Sequence, residues 1–227
     1  MDHRTYRGRI TRHHDDFGET GREWVAVSIG AGQRTLRAVC ELDRDRILRD
    51  CVQSVDDAWR PLDAYVRLTV RGAYMGSAWF QCRGDVVECE AVTVAEGRVR
   101  QSLRSTDPLS VFVTHALTGD GWQTVMFDRS KDERIQVVTG AASSPNPLGD
   151  SGPMAGLSHK RIEYAGEERV TVPAGTFATR HYRILSSLPG RTPLLVWVTG
   201  EDTQLVKMRW DLTRTTYVLD RLEGELR

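Results

Sequence analysis

The sequence predicts a mainly β protein, an antiparallel meander forming a curved sheet or half-barrel with one short helix near Pro108–Leu117, and three observations predict it. Leu62, Ala64, Val66, Leu68 and Val70 alternate with Asp63, Tyr65, Arg67, Thr69 and Arg71, so one side of a strand is dry and the other wet. The pair Gly84-Asp85 stands between two alternating segments as a two-residue hairpin loop should. Short apolar segments broken by turn residues then recur along the chain, the pattern of consecutive hairpins rather than of β-α-β units.

Each element follows from these signals. With a two-residue loop at Gly84-Asp85, Ala78, Phe80 and Cys82 share a face with Val87, Cys89 and Ala91. The turn at Gly72 leaves the register open, because a plain two-residue loop there puts Trp79, not Phe80, against the apolar face of the Leu62 strand. Upstream, segments 23–29, 34–42 and about 47–55 read as strands, with the charged run 43–50 open to a short helix instead. Downstream, segments 160–164, 170–172, 177–185, 194–199, 205–212 and 215–219 are punctuated by Gly166, Pro173-Ala174-Gly175, Pro189-Gly190 and Gly200-Glu201-Asp202. The helix signal is Asp107 as N-cap followed by Pro108 at the first position. Residues 140–156, rich in Gly, Pro and Ser and without periodicity, form a long loop within a single domain spanning 1–227.

Composition narrows the function. Hydrophobic residues make up 40% of the 227 and charged residues 27%, enough for a sizeable core. Lysine plus arginine and aspartate plus glutamate each total 31, so no long-range field gathers nucleic acid or anionic lipid. The charged opening, MDHRTYRGRITRHHDD, reads as no signal peptide, and no stretch approaches the roughly 20 apolar residues that span a bilayer. The expectation is a cytoplasmic protein with neither nucleic acid nor membrane as partner. Cys40, Cys51, Cys82 and Cys89 lack metal or disulfide spacing and read as small buried apolar residues. There is no phosphate loop, nucleophile elbow, HExxH or dinucleotide fingerprint, so no cofactor is expected.

Three clusters carry chemistry. In VFVTHALTGDGW, His115 follows an apolar run and Asp120 lies in a glycine-rich stretch before Trp122. A histidine beside a carboxylate in an apolar pocket suits proton transfer, whereas the structural alternative has the same residues ending a helix, making a turn and filling core. Arg67 and Tyr65, with Trp79 across from them, form an aromatic and cationic patch able to orient an anion, or else a solvated outer face. Arg180 and Tyr182 share a face that excludes His181, which with Lys207 and Arg209 suggests cross-strand pairing. The run His13-His14-Asp15-Asp16 resembles a metal cluster, but neighbours on a strand point to opposite faces, so no metal site is expected.

From Arg169 to Val218, the stretches ERVTVPAGTFATRHYRI and LLVWVTGEDTQLVKMRWDL resemble a bacterial β-rich family catalogued as a domain of unknown function, number 3108. The matching elements are Val172 to Phe177, Trp197, Gly200 to Thr203 and Val206-Lys207, about a quarter of the chain. The resemblance implies a curved antiparallel sheet similar to the LolA and LolB lipoprotein carriers, its concave apolar face partly plugged by helix, in a group whose members are usually exported. It transfers no catalytic residue.

The combined reading is a cytosolic protein that binds a mid-sized apolar or aromatic molecule in a hydrophobic pocket between the concave sheet and the Pro108–Leu117 segment, with Trp79, Trp122, Phe80 and Trp197 as ligand contacts. The rival is a cofactor-independent lyase, isomerase, hydratase or cyclase. In it His115 transfers the proton, Asp120 orients it, and Arg67 or Tyr65 stabilises negative charge. A third reading is a homo-oligomer associating through an apolar face.

Overall fold

The computed structural model describes residues 3–146, 148–185 and 192–227, and shows one continuous sheet of fifteen strands among them. Eight consecutive hairpin strands come first: β1 (Arg4–His14), β2 (Gly18–Gly30), β3 (Gln33–Leu42), β4 (Ile47–Asp56), β5 (Pro61–Val70), β6 (Ala73–Arg83), β7 (Val86–Thr93) and β8 (Gly97–Arg104). After an irregular stretch come β9 (Val111–Val113), the helix α1 (Leu117–Trp122) and a 3-10 turn (Gln123–Met126). The chain then returns through β10 (Ile135–Ala142), β11 (Gly156–Val172), β12 (Gly175–Leu185), β13 (Leu194–Thr199), β14 (Gln204–Trp210) and β15 (Thr215–Glu223). The order across the sheet is β8 to β1 in descending sequence, then β15 to β9, so β1 and β15 meet in the middle. Every pairing is antiparallel except that of β9 with β10.

The expected alternation holds where it was clearest. Ala64, Val66 and Leu68 are buried, and Ala78, Phe80 and Cys82 face Ala91, Cys89 and Val87 across the predicted Gly84-Asp85 loop. The open register at Gly72 is settled by a bulge. Arg71 and Gly72 form a two-residue turn with both φ positive, as the right-handed twist of a hairpin favours. Val70 pairs with Ala73 and Thr69 with Tyr74, but Leu68 pairs with Gly76, leaving Met75 unopposed. That one extra residue reverses the parity, so Phe80 faces inward opposite Ala64 and Trp79 faces outward opposite Tyr65. The charged run at 43–50 divides into a turn and the start of β4.

The helix starts later than expected. Residues 108–110 are irregular and 111–113 are strand, and the helix occupies Leu117–Trp122. Asp107 is exposed and caps nothing there; the cap comes from a distant strand. Glu23 of β2, fully buried, accepts hydrogen bonds from the backbone N–H of Leu117 at 2.6 Å and Thr118 at 3.0 Å. The first N–H groups of a helix have no internal partner, so a remote carboxylate does what a local N-cap would. The Pro189-Gly190 turn lies outside the described residues.

The inner face holds the core in two clusters. One packs Leu36, Val66 and Phe80 of the first half against Phe112, Ala116 and Trp122, and the other packs Val196, Leu205 and Leu219 of the second half against Leu117 and Phe127. Residues 109–127 are therefore a plug that both halves share, and part of the 140–156 segment packs beside it, with Ala155 buried in the first cluster. Glu23→Ala would leave two buried N–H groups of the plug without acceptors, an expected loss of about 2–4 kcal/mol in urea unfolding. Glu23→Gln, which keeps one acceptor oxygen, is expected to lose less.

Candidate functional site

Beside the plug the described residues enclose one small gap. The gap bordered by Gln53, Trp59, Phe112, Gly119 and Trp122 is about 10 Å³, the space of one water molecule at most. Where a pocket is expected between the concave sheet and the Pro108–Leu117 segment, Leu109, Phe112 and Ala116 pack with the sheet's inner face. Phe80 is packed on Phe112 with ring centroids 4.9 Å apart, and Trp122 meets Trp59 edge-on at 5.4 Å, so both serve as core. Trp197 lies elsewhere, stacked on His181 at 4.2 Å, with Lys207 over it and its Nε1 donating to Glu168 at 2.6 Å.

The plug's irregular backbone is held by inward-pointing polar side chains of β4 and β2. Gln53 donates to the Phe112 carbonyl at 3.0 Å, the Cys51 thiol to that of Thr114 at 3.4 Å, and Arg49 to that of His115 at 2.9 Å. Arg49, itself buried, also donates to the carbonyls of Leu148 and Gly149 at 2.9 and 2.8 Å. Gly149 has φ +63°, and a Cβ there would stand 2.6 Å from Cγ of His115, so the loop can come this close only as glycine.

His115 and Asp120 both lie in this interior, each with partial solvent contact. His115 adopts φ +62°, and its Nε2 is buried without a partner. Burial, reinforced by the Arg49 and Lys160 charges, pushes its pKa down to about 3, so the ring is neutral at pH 7. Burial, with Glu23 adding to it, pushes Asp120 up to about 7 against the opposing charges of Lys160 and Arg49 and a 2.8 Å hydrogen bond from Gln123. Among the described residues no hydrogen bond or ion pair joins His115 to Asp120. Arg67 and Tyr65 are not with them: both are exposed on the outer face of β5, where Arg67 lies 5.3 Å over the Tyr74 ring. The sheet stands between the two pairs, because period-two alternation sends residues 65 and 67 away from the side that Val66 and Leu68 occupy. At the N-terminal histidines, Asp15 and Asp16 are engaged by Arg209 and Arg214.

A larger opening lies on the outer face. Across β15, β1, β2, β3 and β4 lies a depression of about 520 Å³, within the range of small-molecule sites. Two cross-strand rows build it. One reads Glu223, Arg7, Ala26, Arg37, Val52 and continues to Tyr65 and Trp79; the other reads Arg221, Arg9, Trp24, Val39, Asp50 and continues to Arg67. Ala26, Val39 and Val52 are short and make the floor, while Trp24 and the arginines are long and make the walls. Trp24 is 45% exposed, a large apolar ring left in solvent on a face that carries further apolar groups. Arg9 is tied by Glu19 and Asp220, both at 3.1 Å, and sits 5.4 Å from the Trp24 ring centroid. Of the residues proposed from sequence, Tyr65, Arg67 and Trp79 share this face at its β5–β6 margin. The floor residues went unrecognised, although the signal was there: in WVAVSI and RAVC the apolar residues occupy both phases of the alternation, which a strand wetted on its outer side does not need.

The two interior groups should act oppositely on stability. Asp120 is protonated more readily folded (about 7) than unfolded (3.8), so stability should fall as pH rises through that window. Asp120→Asn, which keeps the acceptor for Gln123, is expected to gain about 2–4 kcal/mol over wild type at pH 8.5 and nothing near pH 3.5. His115, depressed from 6.5 to about 3, contributes stability that is complete above pH 6.5 and lost as pH falls toward 3. His115→Asn, which tolerates the positive φ, should flatten that acid limb in urea titrations run across pH.

No protein-family model matches the chain, and no curated protein matches it. Among solved structures, a β-barrel-like protein of the domain of unknown function DUF1849 from Brucella abortus aligns over 98% of this chain and 97% of its own, at TM-score 0.56 and 11% identity. A DUF1089 family protein from Pseudomonas aeruginosa aligns over 81% and 87% at TM-score 0.45 and 9% identity. An exported protein with a YmcC-like fold from Bacteroides fragilis aligns over 96% and 95% at TM-score 0.32 and 11% identity, and likeness at either of these two levels carries no argument. What the first alignment shows is the fold: this chain has the β-barrel-like, largely antiparallel curved-sheet architecture of the Brucella protein.

Proposed function

We propose that the protein is a binding protein for a small molecule with an apolar body, held in the outer depression formed by β15, β1, β2, β3 and β4. The observation that carries the reading is the pairing of a filled interior with an open, apolar-floored groove of about 520 Å³ on the other side of the same sheet. Burying ligand surface against Trp24, Val39 and Val52 supplies affinity at about 25 cal/mol per Å² of apolar area removed from water, before the cost of immobilising the ligand. A rigid ladder of five strands presents the floor already formed, so little ordering is required on binding.

The uncharged fluorescent probe N-phenyl-1-naphthylamine is expected to bind with micromolar affinity and a blue-shifted emission. Val39→Asp puts a charge on the floor without touching the core, and should weaken that binding at least tenfold while the melting temperature stays within a few degrees. Equal binding to wild type and Val39→Asp would place the probe elsewhere and remove this reading.

A further inference from the structure

We infer that the ligand of this groove is an organic anion, an apolar body with a single carboxylate or phosphate head, which sits over Ala26 between Arg7 and Arg37. The inference rests on the groove being a binding site and specifies what it binds.

Arg7 and Arg37 are the cross-strand neighbours of Ala26 on its two sides, from β1 and β3. Their backbones are two strand spacings apart, about 10 Å, and both side chains leave the sheet on the same face. Alanine between them has no side chain long enough to fill the gap. Among the described residues neither guanidinium has a carboxylate in ion-pair contact, in contrast with Arg9, which is held by Glu19 and Asp220. The lining carries Arg7, Arg9, Arg37 and Arg221 against Asp50 and Glu223, and with Arg9 and Arg221 in contact with Asp220, and Arg9 also with Glu19, Arg7 and Arg37 are the lining arginines left without an ion pair among the described residues. Glu223 lies on the β15 side of Arg7, and Asp50 lies in the other row beside Val39, so neither stands between Arg7 and Arg37.

Guanidinium groups bind carboxylate and phosphate oxygens through paired N–H donors, and such hydrogen bonds are about twice as strong as neutral ones. From a head held over Ala26, the apolar part of the ligand lies along the adjacent row, over Val39 and against the Trp24 ring. An amphiphile with a single anionic end matches both halves of the site. A neutral apolar molecule leaves two arginines unused, and an inorganic anion leaves the floor and the tryptophan unused.

The test compares two probes that differ by a sulfonate, 8-anilinonaphthalene-1-sulfonate and N-phenyl-1-naphthylamine. The sulfonate is expected to bind wild type at least tenfold more tightly at low salt, with that advantage shrinking as ionic strength rises. Arg7→Gln and Arg37→Gln should each weaken the sulfonate about fivefold or more, the double variant should abolish the advantage, and the uncharged probe should change less than twofold. Decanoate and decyl phosphate should displace the bound sulfonate and decanol should not, and the stronger of the first two identifies the head group. A sulfonate advantage that survives in the double variant, or displacement by decanol as effective as by decanoate, overturns the anion assignment and leaves the groove itself standing. Failure of both probes to bind removes the groove as a site. Both arginines are in strands on the solvent side, so an unchanged melting temperature confirms that the variants are folded.

Discussion

The structure depends on a row of hydrogen bonds between inward-facing polar side chains and the main chain of the plug. Residues 109–127 cover the inner face of the meander with a three-residue strand, a six-residue helix and a 3-10 turn joined by irregular backbone, elements too short to pair all of their own peptide groups. Peptide groups in such a segment, taken away from water, need partners or cost on the order of 1–3 kcal/mol each. Gln53, Cys51 and Arg49 lie at successive inward positions of β4 and meet the carbonyls of residues 112, 114 and 115 in turn, and Glu23 of β2 takes the N–H groups of residues 117 and 118. The strand reads the plug like a template, one side chain per exposed peptide.

This arrangement sets the electrostatics of the interior. Arg49 is buried with three carbonyl oxygens for partners, and Glu23 is buried with two backbone donors and the Cys40 thiol, so each charge is solvated by the protein rather than by a direct opposite charge. Burial nevertheless raises the Glu23 pKa, and it moves Asp120 and His115 in the directions that favour their neutral forms. These shifts follow from burial in the packed interior.

Much of the sheet was legible because its strands are half-buried and show it. Leu62 to Val70, and the hairpin from Ala78 to Ala91, have one dry phase and one wet phase; the structure follows them from Ala64 to Leu68 and through the hairpin, while Leu62 and Val70 near the strand ends are only half-buried. The Met75 bulge was not legible, since one extra residue in a strand leaves no mark in the alternation beyond the conflict it resolves. The plug misled for a related reason. Asp107-Pro108 is good helix-start chemistry, but the true helix takes its cap from Glu23, far away in sequence, and no local pattern can reveal that. The clue was that Glu23 shares the phase of Val25 and Val27, just as Arg49 and Gln53 share that of Ile47 and Val55. An ionisable residue in the dry phase announces a buried partner, and apolar residues in the wet phase, such as Trp24 and Val39, announce an outer surface that is partly apolar.

The meeting of β1 and β15 at the middle of the sheet bears on how the molecule acquires its shape. Arg7 is aligned with Glu223, and Tyr217 with Arg12, so the central seam joins segments about two hundred positions apart while every other antiparallel ladder links consecutive strands. Hairpins on either flank can zip early, each closing a short loop, but the seam must wait for a very long one. The groove straddles that seam, with walls from both sides of it. Its contour therefore exists only in molecules that have finished folding, and a chain halted before the seam closes lacks the β15 wall of Arg221 and Glu223.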